Sequence, residues 1–223
     1  MRYAFYLGNF FSNINYKTHF KFLFSLEIET NRIKNTLSKI DFYNKNGYKI
    51  FLPNNFDINN NNNQYIEKLV LKEYRKEDYD EVSNFLNIKI IENINKINIA
   101  FQQTDFILEE EYNIFLTKYG VGGSYNPPRE IILNFQAKEK EKLLKTIIHE
   151  TIHLSINDLI IKYNISHWEK ELIVDLFFDN ILPEFNIPQN IKLETNRIEV
   201  IKNIFKTNFP NTENIIKKIG GMV

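Results

Sequence analysis

Hydrophobic and polar positions divide the chain into a strand-bearing first part and a helical second part. Over 64–94 the apolar residues Ile66, Leu69, Val70, Val82, Phe85 and Leu86 recur at helical spacing. Short runs of strand character lie at 48–52, 98–102, 113–118 and 131–135, and the aromatic-rich 5–11 reads as a buried first strand. The polar run 59–63 predicts a surface loop, since nothing in it can pack. Gly120, Gly122 and Gly123, followed by Pro127 and Pro128, predict a second loop. Beyond 135 the pattern is helical, over about 138–163, 168–182, 190–206 and 212–219. Strands first and helices after define an α+β fold: an N-terminal sheet with helices, then a C-terminal helical subdomain. The expected organisation is a sheet-containing part over 1–135 and a helical part over 136–223, forming one domain overall.

Of the 223 residues, 43% are hydrophobic and 25% charged, the balance of a globular chain and not of a disordered one. No apolar run approaches the roughly 18–20 residues that span a bilayer. No small-residue cleavage site follows the aromatic N-terminus. A cytoplasmic protein with no membrane partner is expected. With 28 basic and 28 acidic residues the formal charge is zero, which argues against a nucleic-acid partner held through phosphate contacts. The glycine-rich loop lacks the Lys-Ser/Thr signature of a phosphate loop. There is no cysteine, so disulfides, thiolate zinc sites, iron–sulfur clusters and a thiol nucleophile are excluded. Any metal must be held by His, Asp and Glu.

Two of the four histidines stand four residues apart in the run His149, Glu150, Thr151, Ile152, His153. Positions i and i+4 share a helix face, so both imidazoles can reach one cation. Leu143, Leu144, Ile147, Ile148, Ile152 and Leu154 would bury most of the helix that carries them. Two histidines and a carboxylate on such a helix are costly to desolvate unless paired, and a metal supplies the pairing. Histidine nitrogens suit zinc at about 2.0–2.1 Å. Glu150, one residue on, lies beside the cation without being aimed to ligate it. That position suits a general base taking a proton from water that the metal has activated. A catalytic zinc has three protein ligands and keeps one position open. Glu171 and Asp175 are i and i+4 on the next helix, so Glu171 can complete the site while Asp175 accepts the other ring N–H of a ligating histidine. His167 and Glu169 are the rivals for third ligand.

The run from His149 to His153, followed by Glu171, Leu172, Ile173, Val174 and Asp175, resembles the gluzincin clan of zinc metallopeptidases. The resemblance covers about 45 residues, 131–175. It implies a zincin-like active-site helix, zinc held by His149, His153 and Glu171, and Glu150 as base. The implied activity is hydrolysis of a peptide or protein substrate without a covalent intermediate. It also implies an upstream edge strand that pairs with an extended peptide, a place that 131–135 or 113–118 could fill. A His or Tyr that donates to the oxyanion is a further expectation, with Tyr125, Tyr163 and His167 as candidates. With His167 as third ligand the resemblance would instead be to SprT-like zinc proteases. The metzincin pattern is excluded, because Ile156 and Leu159 occupy the places of its glycine and third histidine. A non-catalytic zinc-binding or partner-binding protein on the same scaffold is the alternative function.

Overall fold

The computed structural model describes residues 18–60, 62–185 and 189–221, so the strand expected at 5–11 lies outside the described residues. The first half runs β1 (His19–Leu23), α1 (Leu26–Ser38), α2 (Ile40–Asn46), α3 (Asn63–Glu73) and α4 (Lys76–Phe101). Then follow β2 (Glu111–Thr117), β3 (Gly123–Asn126) and β4 (Glu130–Asn134). The chain ends with α5 (Leu143–Lys162), α6 (His167–Ile181), α7 (Thr195–Asn208) and α8 (Thr212–Gly220). Among the described residues, eight helices around one small sheet, with helices alone after β4, make the α+β fold expected from the sequence.

The sheet has the order β1-β2-β4-β3. β1, β2 and β4 run parallel, and β3 returns antiparallel along β4. Because side chains alternate across a strand, Tyr112, Ile114, Leu116, Ile131 and Leu133 share one face, with Ile114 beside Ile131 and Leu116 beside Leu133. That face is buried in the main core with Leu143, Ile147 and Ile148 of α5. On the other face Phe115, Thr117 and Ile132 front Ile28 and Arg32 of α1 across a smaller groove.

Three expectations are corrected. The run 98–102 is not a strand but the C-terminal end of α4. Ile97, Ala100 and Phe101 are buried at i, i+3 and i+4, a spacing only a helix can bury together. The run 48–52 contributes a single bridge, between Phe51 and Gly120. The stretch 64–94 is helical, as its periodicity predicts, in two helices separated where Tyr74 and Arg75 are extended. Buried Lys118 stabilises the break: its amine donates to the Glu73 carbonyl at the end of α3 (3.0 Å) and to Asp78 in the first turn of α4 (2.6 Å). A cation at a helix C-terminus and an acid at an N-terminus both complement the helix dipoles. Lastly, neither 113–118 nor 131–135 is an edge strand, since β2 and β4 are each paired on both sides. The end strand on the α5 side is β3.

The predicted glycine loop leads into β3 and is gripped by α1. Buried Arg32 donates to the carbonyls of Tyr119 (3.3 Å) and Val121 (3.4 Å) and to Ser124 Oγ (3.1 Å). Gly120 has φ +82, and a Cβ there would collide with the Arg32 guanidinium, so only glycine allows this grip. The asparagine loop also has a structural end point: Asn62 Oδ1 accepts from Gln64 N (2.8 Å) and caps α3.

The two helices that carry His149, His153 and Glu171 are joined by a tight connection through Asn164, which is left-handed at φ 51. Ser166 and Glu169 form a capping box that starts α6. No helix among the described residues is long and apolar enough to cross a membrane.

Candidate metal centre

α5 brings His149 and His153 one turn apart on the face that meets α6, and α6 brings Glu171 opposite them. His153 Nε2 lies 3.0 Å from His149 Nε2 and 3.3 Å from Glu171 Oε2, and His149 Nε2 lies 3.5 Å from the same oxygen. The three residues form a group that could hold a metal ion. His153 and Glu171 are buried and His149 nearly so. Two ring nitrogens this close cannot both carry protons, so at least one Nε2 presents its lone pair to the space between them. His149 Nδ1 faces Asp175 Oδ1 at 3.8 Å, the side on which Asp175 was expected.

Electrostatics separate the two imidazoles. Burial holds His153 far down, at about 3, so it is neutral at any working pH and has a lone pair to give. Burial also opposes charge on His149, but Glu171, Glu150 and Asp175 outweigh it and raise this ring above its ordinary value. Burial would raise Glu171 too, yet the hydrogen bonds it accepts from the His149 and His153 rings and the nearby charge of Lys170 hold the carboxylate well below its usual range. Lys170 contributes directly, with Nζ 3.0 Å from Glu171 Oε1.

Glu150, on the same helix turn, is buried and makes no hydrogen bond among the described residues. It lines a cleft of about 940 Å³ together with His149, His153 and Glu171. Burial pushes its carboxyl up, with Glu171 adding to the rise and His149, Lys138 and Lys170 opposing it. Gly123, the first residue of β3, comes so close that a Cβ there would collide with Glu150 Oε1 and Thr146 Cγ2.

The rival residues are accounted for. Glu169 is occupied by the Ser166 cap (Oγ at 2.8 Å) and by Arg197 Nε of α7 at 2.6 Å. His167 Nε2 is 2.9 Å from the Tyr48 hydroxyl and its Nδ1 is 3.8 Å from Glu171 Oε1. It lines the cleft beside the three grouped residues. Of the three residues considered for the oxyanion, Tyr125 and His167 line the cleft. Tyr163 does not, and its hydroxyl donates to Glu213 on α8 at 2.9 Å. Tyr125 of β3 stacks on His153 with ring centroids 4.9 Å apart.

Among the cleft residues that sequence reasoning did not single out are Tyr48, Lys170 and Gln189. Lys170 could have been suspected, being adjacent to Glu171 and on the helix of the candidate ligands. Nothing local marks Tyr48 or Gln189. Gln189 Nε2 lies 2.9 Å from both His149 Nε2 and Glu171 Oε2, and its backbone N–H donates to Asp175 Oδ2 at 2.9 Å.

Comparison with protein-family models, with curated proteins and with solved structures gives no match.

Proposed function

We propose that this protein is a zinc-dependent peptidase in which His149, His153 and Glu171 hold the metal and Glu150 is the general base. One observation carries the reading. A zinc ion about 2.0–2.1 Å from each of three donors in tetrahedral geometry needs them about 3.3–3.4 Å apart. The three donors here are separated by 3.0, 3.3 and 3.5 Å. Three donors gathered at that spacing, two of them buried, would be costly without a cation to pair them. The resemblance to gluzincins supports the same assignment.

Zinc, when bound, lowers the pKa of water and polarises a carbonyl. The remaining roles belong to the chain. Glu150 has a raised carboxyl, borders the cleft and is free of other hydrogen bonds among the described residues, which suits it to accept a proton from water and pass it to the leaving amine. Asp175, beside His149 Nδ1, orients that ring and keeps its Nε2 turned toward the ion. Lys170 steadies the Glu171 carboxylate from its other oxygen. The end strand β3 borders the cleft through Gly123, Ser124 and Tyr125, so an extended peptide could add to it through backbone hydrogen bonds. Tyr125 and His167 remain the donors within reach of a developing oxyanion. The compartment proposed is the cytoplasm.

A second reading, a zinc-binding protein without hydrolysis, is favoured by Gln189, whose side chain meets two of the three metal-holding residues. The experiment that separates the readings is digestion of a peptide library by the zinc-loaded full-length chain, with and without chelator, followed by mass spectrometry. Chelator-sensitive cleavage that falls about 10²–10⁴-fold in Glu150→Gln, with zinc content unchanged, is the expected result. Cleavage undiminished in that variant would overturn the mechanism, and zinc loading without any cleavage would favour the second reading.

A further inference from the structure

Gln189 belongs to none of the motifs that point to the metal centre, yet its amide end contacts the centre more closely than any other cleft residue outside it. It stands on the connection between α6 and α7, and two anchors hold the described part of that connection at the rim. The Gln189 backbone N–H donates to Asp175 Oδ2 at 2.9 Å. Lys192 Nζ donates to the Asn46 carbonyl at 2.6 Å and lies 5.4 Å from the Trp168 ring centroid.

The position of the amide is informative. An atom at the centre of the three donors would be about 2 Å from each, the length of a metal–ligand bond. Gln189 Nε2 is instead 2.9 Å from His149 Nε2 and from Glu171 Oε2, close to the distances these donors keep from one another. It is too far out to stand in the place of the ion itself, and it lies beside two of the three donors, within reach of an ion they would hold. The amide nitrogen cannot ligate a cation, but a half-turn about the terminal torsion brings the amide oxygen, a neutral donor with two lone pairs, to the same place. The NH2 group bridges the two acceptors, and with an ion held there the oxygen would face it.

We propose that Gln189 is an intrachain fourth ligand of the metal centre, closing the position that a substrate or inhibitor must take. The proposal rests on the metal reading above but does not depend on hydrolysis. A ligand that must displace the amide binds more weakly by the fraction of time the position is open. An amide in place nine-tenths of the time costs it about tenfold. Removing the amide opens the site to small ligands and takes one donor from the metal. A carboxylate at the same position holds the metal more firmly and excludes small ligands better.

The test uses the full-length protein loaded with Co²⁺, whose visible absorption reports coordination, titrated with acetohydroxamate. Relative to wild type, Gln189→Ala is expected to bind acetohydroxamate about tenfold more tightly and to bind Co²⁺ more weakly. Gln189→Glu is expected to shift both affinities the opposite way, giving a reading that does not depend on the alanine variant folding well. Unchanged acetohydroxamate affinity in both variants overturns the proposal and leaves the metal reading standing. Weaker acetohydroxamate binding by the alanine variant also overturns it, assigning Gln189 to holding the incoming ligand. Failure of every form to take up Co²⁺, seen before acetohydroxamate is added, overturns the metal reading and this proposal together.

Discussion

Gly123 lies against Glu150 so closely that the smallest side chain would strike the carboxylate. The first residue of the end strand therefore fixes where the proposed base can sit. The contact joins the two parts of the chain, since Gly123 opens β3 and Glu150 is in α5. Gly123→Ala should force Glu150 aside while leaving His149, His153 and Glu171 in place. Zinc content should survive, and peptide cleavage should fall about 10²-fold, as for a displacement near 1 Å in a reacting group. Parallel measurements of bound zinc and turnover check this, and loss of both together would indicate general damage to the fold.

Metal uptake should follow the donor geometry. Wild type offered zinc at neutral pH should take up about one equivalent, measured by elemental analysis after dialysis, and His149→Ala or His153→Ala should lose most of it. Glu171→Ala should weaken binding far more than Glu169→Ala or His167→Ala. Glu169 is committed to Ser166 and Arg197, and His167 to Tyr48. If His167→Ala proved the most damaging of the three, the third ligand would have to be reassigned.

Asp175 sits behind His149 and also accepts from the Gln189 backbone. Asp175→Asn should keep the fold and lower zinc affinity or cleavage by about 10–100-fold, milder than loss of a ligand. Competition with a chromophoric chelator would measure the change, and an effect as large as that of His149→Ala would make Asp175 a ligand itself.

Glu29, a buried acid that does not line the cleft, should make its own contribution to the pH dependence of stability. Glu29 in α1 accepts from the Tyr79 hydroxyl and from Lys118 N (2.7 Å), and its other oxygen has no partner among the described residues. Burial raises its carboxyl from 4.5 to about 7, against the opposing pull of Tyr79, Lys118 and Arg32. Since the folded state holds this proton more tightly than the unfolded state, the contribution of Glu29 to stability falls as pH rises from about 4.5 to about 7 and is level above. The loss is on the order of 3 kcal/mol. In urea unfolding, the stability of wild type relative to Glu29→Gln should be lower at pH 8 than at pH 5 by most of this amount. Equal declines in the two proteins would mean that Glu29 does not titrate in that window.

What the sequence determined by itself is what local spacing controls. His149 and His153 share a face because any helix brings i and i+4 together, and unbroken apolar periodicity made that stretch a helix. The same rule put Glu171 and Asp175 on one side of α6, and the order of runs was enough for the α+β class. The tertiary structure decided the rest, because the deciding contacts join residues far apart in the chain. The run 98–102 has strand composition, but α4 already buries Ile97, Ala100 and Phe101 along one stripe, and packing overrides the local preference. β3 was hidden in a glycine loop, since its position comes from pairing with β4 and from the Arg32 grip, neither of which leaves a local pattern. Gln189 reaches His149 across 40 residues of chain, and periodicity carries no record of a contact made by a connecting segment. Local geometry thus selected the residues that could hold a metal. Long-range packing selected what surrounds them: the strand at the cleft, the glycine against the proposed base and the glutamine beside His149 and Glu171.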